Sequence, residues 1–132
     1  MLIHFYTFVD KIKNSPARRN KTLLILMILS FIINVLLWIF LYWQIKKIID
    51  SNPEYTTIPL HYNVFFGIDK YGEWYKIFFM PLTGLIIFLV NSITSFMIYS
   101  KKNILSYFLT LITLISQVIL AIAGTLIILI NL

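Results

Sequence analysis

Cysteine is missing from this chain of 132 residues. That excludes disulfides, thiolate metal sites and thiol nucleophiles. Charge is scarce too: Asp, Glu, Lys and Arg make up 12% of the sequence, about half the share usual in a soluble domain. Acids are scarcest, five against eleven Lys and Arg. Charge is also absent in long blocks. The 24 residues between Lys21 and Lys46 hold no Asp, Glu, Lys, Arg or His. Neither do the 24 between Lys76 and Lys101, nor the 30 after Lys102. Proton-coupled pumps and in-membrane acid–base enzymes depend on ionisable groups at such positions. Their absence argues against both classes.

What fills these blocks is apolar. Hydrophobic residues make up 60% of the chain, too much for a soluble domain of this size to hide. A helix rises about 1.5 Å per residue, so 24 residues reach roughly 36 Å, against a hydrocarbon core about 30 Å thick. Barrel strands are short and alternate in polarity; these runs are long and uniformly apolar. The sequence therefore predicts an all-α integral membrane protein. Its expected parts are a cytoplasmic interfacial segment at 1–20 and transmembrane helices at 21–47, 76–100 and 103–131. An ordered extracytoplasmic loop is expected at 48–75.

Charge sets the expected orientation. Lys11, Lys13, Arg18, Arg19, Lys21, Lys101 and Lys102 share one side with a single acid, Asp10. Residues 46–76 balance four Lys against four acids. The whole net charge of +6 thus lies on one face, which the positive-inside rule assigns to the cytoplasm. This places the chain in the plasma (inner) membrane, with the N-terminus cytoplasmic and the C-terminus extracytoplasmic. It also accounts for the basic balance without nucleic acid as a partner. Trp38, Tyr42, Trp43, Tyr71, Trp74 and Tyr75 fall where an outer aromatic belt would lie.

The first residues do not read as a secretory signal, because the apolar stretch precedes the charges. Leu2, Phe5, Tyr6, Val9 and Ile12 instead share one helical face, so residues 2–13 read as an amphipathic interfacial helix. Asn14-Ser15-Pro16 breaks it. Asn20-Lys21-Thr22 fits the glycosylation pattern but lies on the basic side, so it reads as a chance match.

Each span carries one deep amide: Asn34, Asn91 and Gln117. They lie 13, 10 and 15 residues from the inner charges, within about 8 Å of one another in height. They are expected to form a hydrogen-bonded layer, either as interhelical glue or as the lining of a passive pathway. Ala121 and Thr125 make a small-xxx-small pair that would seat another helix or a second copy of the chain. Pro81, in the outer half of the second span, suggests a bend.

The outer segment PLHYNVFFGIDKYGEW, residues 59–74, holds the richest mixture of side chains. Asn52-Pro53 should stop the first helix. Thr56, Thr57 and Ile58 read as extended, and Gly67 and Gly72 permit tight turns. The run Ile58-Pro59-Leu60-His61-Tyr62-Asn63, then Gly67-Ile68-Asp69 and Tyr71-Gly72, resembles the small extracytoplasmic-loop domain of unknown function in SdpI-type immunity proteins. The resemblance covers residues 56–90 and rests on Pro59, His61, Gly67 and Asp69. It differs in that such proteins usually continue into further membrane helices. Lys76 is the nearest match to a Lys that often follows the family's acidic turn. The resemblance implies an immunity- or signalling-like role.

His61 has no metal-ligand spacing around it, and the other imidazole, His4, belongs to the opposite side. No metal or cofactor is expected. The one catalytic version available, lipid chemistry at the outer interface, would combine His61 with Asp69 or Glu73. The reading that follows is a non-enzymatic membrane protein whose outer loop binds through His61, Tyr62, Asn63, Asp69 and Trp74. Its expected partners are the bilayer and a membrane or secreted protein or peptide. The alternative is a subunit or homo-oligomer of a permeation complex, lined by Asn34, Asn91 and Gln117.

Overall fold

Asn20 starts the first long helix. Its Oδ1 accepts from the Leu23 backbone N–H at 3.0 Å, the bond by which an N-cap side chain satisfies an orphan donor. The glycosylation-like triplet is therefore a helix start. In the computed structural model residues 2–51, 53–54 and 57–131 are described, and at positions 2–5, 8 and 11 the backbone only. The apolar stripe expected at Leu2 and Phe5, the side chain of His4, the helix stop at Asn52 and the extended backbone at Thr56 lie outside the described residues.

Helix α1 spans Leu2–Lys13. Ser15 then turns extended, and its Oγ accepts from Ala17 N at 3.3 Å to open a short 3-10 turn, Pro16–Arg19. Helix α2 runs Lys21–Ser51, one turn beyond the expected end at 47. Strands β1 (Thr57–Asn63) and β2 (Gly67–Glu73) follow. A 3-10 turn, Trp74–Phe78, leads into helix α3, Phe79–Ile98, and helix α4 runs Asn103–Ile130. Three helical stretches, Lys21–Ser51, Trp74–Ile98 and Asn103–Ile130, are long and apolar enough to cross a membrane.

The all-α expectation fails in the loop between the first two long helices, which holds an antiparallel hairpin. Asn63 Oδ1 accepts from Phe65 N at 2.8 Å, an Asx turn. Gly67 stands opposite Asn63 with φ +74°, where a side chain would be strained. Together they close a three-residue connection, Val64–Phe66. The ladder is irregular between Pro59 and Tyr62, so Leu60 has no cross-strand partner in the register. Leu60 packs over Gly72, whose Cβ would lie 2.4 Å from Leu60 Cδ1. Ile58, at the base of the hairpin, is buried with Ile48, Ile77 and Ile128. Asn131 Nδ2 donates to Pro59 O at 2.9 Å, tying β1 to the end of α4.

Pro81 does not bend α3 in mid-course. It sits in the first α-helical turn, where its missing N–H would have had no intrahelical partner in any case. The irregularity comes earlier, as the 3-10 turn before Phe79.

The three long helices pack with an inverted polarity. Buried positions on α4 are Ser106, Thr110, Thr113, Gln117 and Gly124 before Ile127 and Ile128 are reached. The exposed face carries Phe108, Ile115, Ile119, Ile122 and Leu126. On α2, Ser30 and Asn34 are buried while Ile25, Ile28 and Leu36 are exposed. Apolar clusters occupy the two ends: Leu37, Leu41, Ile45 and Ile127 at one, Ala17, Leu23 and Met27 at the other. Between α3 and α4, Ser95 Oγ donates to Ser106 O (3.1 Å) and Ser106 Oγ to Ser95 O (2.9 Å). This reciprocal pair lets the two backbones approach closely.

The Ala121–Thr125 pair is not the seat for α2. Thr125 is exposed, with its hydroxyl returned to Ala121 O. Gly124, one position around the helix, is buried instead, its Cβ position 3.0 Å from Leu37 Cδ1. Gly124→Val should therefore overpack the α2–α4 contact and cost about 1–3 kcal/mol. Thr125→Val should stay within about 0.5 kcal/mol of the parent. Reversible unfolding in mixed micelles measures both; equal losses would return the contact to the Ala121–Thr125 face.

Candidate functional site

Two constellations come from the residues singled out by sequence. The first is internal. Asn34 Nδ2 donates to Pro81 O (2.9 Å) and to Gln117 Oε1 (3.1 Å), and Gln117 Nε2 donates to Gly84 O (2.7 Å). One amide pair thus bonds α2, α3 and α4 together. Gly84 makes the room: a Cβ there would lie 2.7 Å from both Asn34 Nδ2 and Gln117 Oε1. Asn34 and Gln117 are almost wholly buried. Among the described residues no buried side-chain N or O lacks a partner.

Asn91 does not join this layer. It donates to Thr113 Oγ1 at 2.9 Å, forming a second tier displaced toward the basic end. Asn91 is seven residues from Gly84 and Thr113 four from Gln117, roughly 10 and 6 Å along their helices. A shared height to within 8 Å is looser than the 3 Å reach of a hydrogen bond, so a three-amide layer divides into two.

The second constellation is the hairpin. His61 Nδ1 and Asp69 Oδ1 stand 2.6 Å apart across the strands, both exposed to solvent. Among the described residues His61 has no other side-chain partner, so the pair acts as a cross-strand clamp. Glu73 is bound elsewhere. The Tyr75 hydroxyl donates to it and Lys76 Nζ lies 2.9 Å away. The Tyr75 bond first, then Lys76, hold its carboxyl below the ordinary range. Trp74 meets Tyr75 edge-on with centroids 5.9 Å apart. Tyr62 is exposed opposite Ile68, and Asn63 is used in the turn. The five residues predicted to bind are thus on one hairpin and its exit, but three of them, His61, Asp69 and Asn63, are engaged in shaping it. No group of three His, Asp or Glu side chains that could hold a metal occurs among the described residues.

Neither a family model, nor a curated protein, nor a solved structure matches the chain. The four residues of the SdpI-type resemblance have definite local duties here. Pro59 accepts from Asn131, His61 and Asp69 clamp the strands, and Gly67 closes the turn.

What sequence reasoning missed is the tip. Val64, Phe65 and Phe66 are 83%, 89% and 83% exposed. The signal was present: turns are built mostly of Gly, Pro, Asn, Asp and Ser, and here three large apolar residues stand between Asn63 and Gly67.

Two outcomes are expected. Asn34→Leu or Gln117→Leu alone leaves a buried amide short of partners and should cost about 1–3 kcal/mol. The double substitution removes the interaction outright, so its loss should fall below the sum by about 0.6–2 kcal/mol; a strictly additive cycle in micelle unfolding would deny the coupling. For Glu73, the folded value is lowered, so its contribution is complete above the unfolded value near 4.5 and is lost as pH falls through the folded value. In a background where Trp38→Phe and Trp43→Phe leave Trp74 as the one fluorescent indole, Glu73→Gln should remove an acid-side change in its fluorescence. An unaltered titration curve would assign that change to another carboxyl.

Proposed function

We propose that this chain is a non-enzymatic, multi-pass protein of the plasma (inner) membrane whose outer hairpin captures a protein or peptide partner. The membrane assignment is supported by the inverted polarity of the bundle. In the middle of the bundle Ser30, Asn34, Ser106, Thr110, Thr113 and Gln117 are buried while Ile28, Phe31, Ile86, Leu89, Phe108 and Ile115 are exposed, the arrangement favoured when the surrounding solvent is as apolar as the side chains. The charge asymmetry supports an orientation with α1 and the Lys101–Lys102 turn in the cytoplasm. The hairpin and the end of α4 then lie outside.

One observation carries the recognition role. Three consecutive large apolar residues stand exposed at the tip of a hairpin whose base is fixed by Ile58 and by the Asn131–Pro59 bond. Exposed apolar patches on ordered elements mark contact sites, and a fixed base lowers the ordering cost of using one. Tyr62 and Tyr71 extend the patch down the two strands. The internal amides are satisfied by one another and by backbone, which supports packing over permeation.

Burying two Phe side chains contributes roughly 3–6 kcal/mol. Phe65→Ser with Phe66→Ser should therefore lower capture of the outer partner by at least about tenfold while leaving the membrane level of the protein unchanged. A photo-crosslinker at position 65 should yield a protein adduct in whole cells. Adducts to lipid alone would replace partner capture with surface anchoring. Replacing His61 and Trp74 should weaken capture less than the Phe pair does.

A further inference from the structure

The opposite end of the bundle carries an arrangement that the hairpin reading leaves unused. Ser15 Oγ donates to Phe96 O at 2.7 Å, pinning the elbow after α1 against α3. Asn20 Nδ2 donates to the hydroxyls of Tyr99 and Tyr107, fixing the start of α2 to α3 and α4. Between the pinned elbow and the α3–α4 turn lies a groove of about 680 Å³. Asn14, Lys101 and Lys102 are among its polar lining, and Phe96, Met97 and Leu105 form an apolar wall. On the other side of Ser15-Pro16 a second hollow is lined by Lys13, Arg18 and Arg19. Among the described residues the ion pairs are His61–Asp69 and Lys76–Glu73, both at the far end. The five cations around the elbow, Lys13, Arg18, Arg19, Lys101 and Lys102, thus form no ion pair with a described carboxylate, and Asp10 is the one acid at this end of the sequence.

We infer that this groove is a site for an anionic phospholipid, with the headgroup phosphate between Lys101, Lys102 and the Asn14 side of the elbow and an acyl chain along Met97 and Leu105. The inference rests on the membrane reading given above. Two features of the groove select this ligand class. Lys side chains outside any described ion pair, set on a fixed rim, attract a phosphate, as basic pockets at the cytoplasmic ends of membrane helices do. The adjoining apolar wall gives no favourable contact to a free anion but continues onto the exposed apolar surface of α3 and α4. A headgroup and a chain joined in one molecule satisfy both.

The test uses the full-length, delipidated protein in mild detergent, titrated with dioleoyl phosphatidylglycerol or dioleoyl phosphatidylcholine and read by native mass spectrometry. The phosphatidylglycerol adduct should form at least tenfold more tightly. Lys101→Gln with Lys102→Gln should weaken it about thirtyfold, each cation near the surface contributing about fivefold. Lys101→Arg with Lys102→Arg should retain it, and so should Lys46→Gln with Lys47→Gln at the other end. Inorganic phosphate should not displace the lipid at concentrations matched to it. Equal binding of the two lipids, or an undiminished adduct in the Gln pair, overturns the site. Displacement by inorganic phosphate makes it a free-anion site and overturns the lipid assignment. Extraction of the chain from native membranes by alkaline carbonate would overturn the membrane reading as well. Retention there, with no preference between lipids, overturns the site alone.

Discussion

Where α2, α3 and α4 meet at Gly84, a pair of side-chain amides bridges the three backbones. Gly84 has no Cβ, so Asn34 and Gln117 lie directly against the α3 backbone and bond to it and to each other. The geometry is demanding. A helix carbonyl already used within its own helix has a second lone pair, and the amide hydrogens of Asn34 and Gln117 take it at Pro81 and Gly84. Because each amide is buried, a rotation of any one helix breaks bonds that water is not present to replace. The rotational setting of all three helices thus depends on this one node. The apolar clusters at either end have no comparable directionality.

That constraint organises what surrounds it. From Ser106 to Gly124 the buried face of α4 is polar or small, which keeps it close to its neighbours, and the Ile and Phe of that stretch face outward. The Asn91–Thr113 bond and the Ser95–Ser106 exchange repeat the same principle one and two steps, in that order, toward the basic end. Hydroxyls that meet no neighbour return to their own helix, as Thr83, Thr94 and Thr125 do. Apolar packing takes over where the bundle must accept other elements. Ile58 of the hairpin enters one end, and Ala17 of the elbow the other.

Much of this was legible in the sequence for a physical reason. Desolvating a charge is costly enough that its absence over 24 residues is close to a structural statement, and the three long helices fall where the gaps in charge do. Depth was legible only to within about 8 Å, too coarse to separate hydrogen-bonded tiers, and Asn91 was therefore assigned to the wrong one. Rotation was not legible, so the small-residue seat for α2 expected at Ala121 and Thr125 is found one position around the helix, at Gly124. Between α2 and α3, Gly67 announced a turn, but pairing of the strands depends on the register between Asn63 and Gly67 and on the irregularity at Leu60, neither of which has a periodic signature. The clamp between His61 and Asp69 follows from that register, so the two residues were named together without their geometry being known. The tip went unread because apolar residues in a charge-poor chain attract no notice.

Asn131 gives the hairpin a second attachment. Its amide holds Pro59 while also accepting its place at the end of α4 by donating to Ile127 O. The hairpin is joined to α3 by covalent chain through the Trp74–Phe78 turn, and to α4 by this side chain. A load applied at Phe65 is consequently divided between two helices that are themselves locked to each other at Ser95–Ser106. The hairpin stands on the bundle as a strut braced at two feet, and tilting it requires either sliding α3 along α4, or releasing the Asn131 bond and withdrawing Ile58 from its apolar cluster.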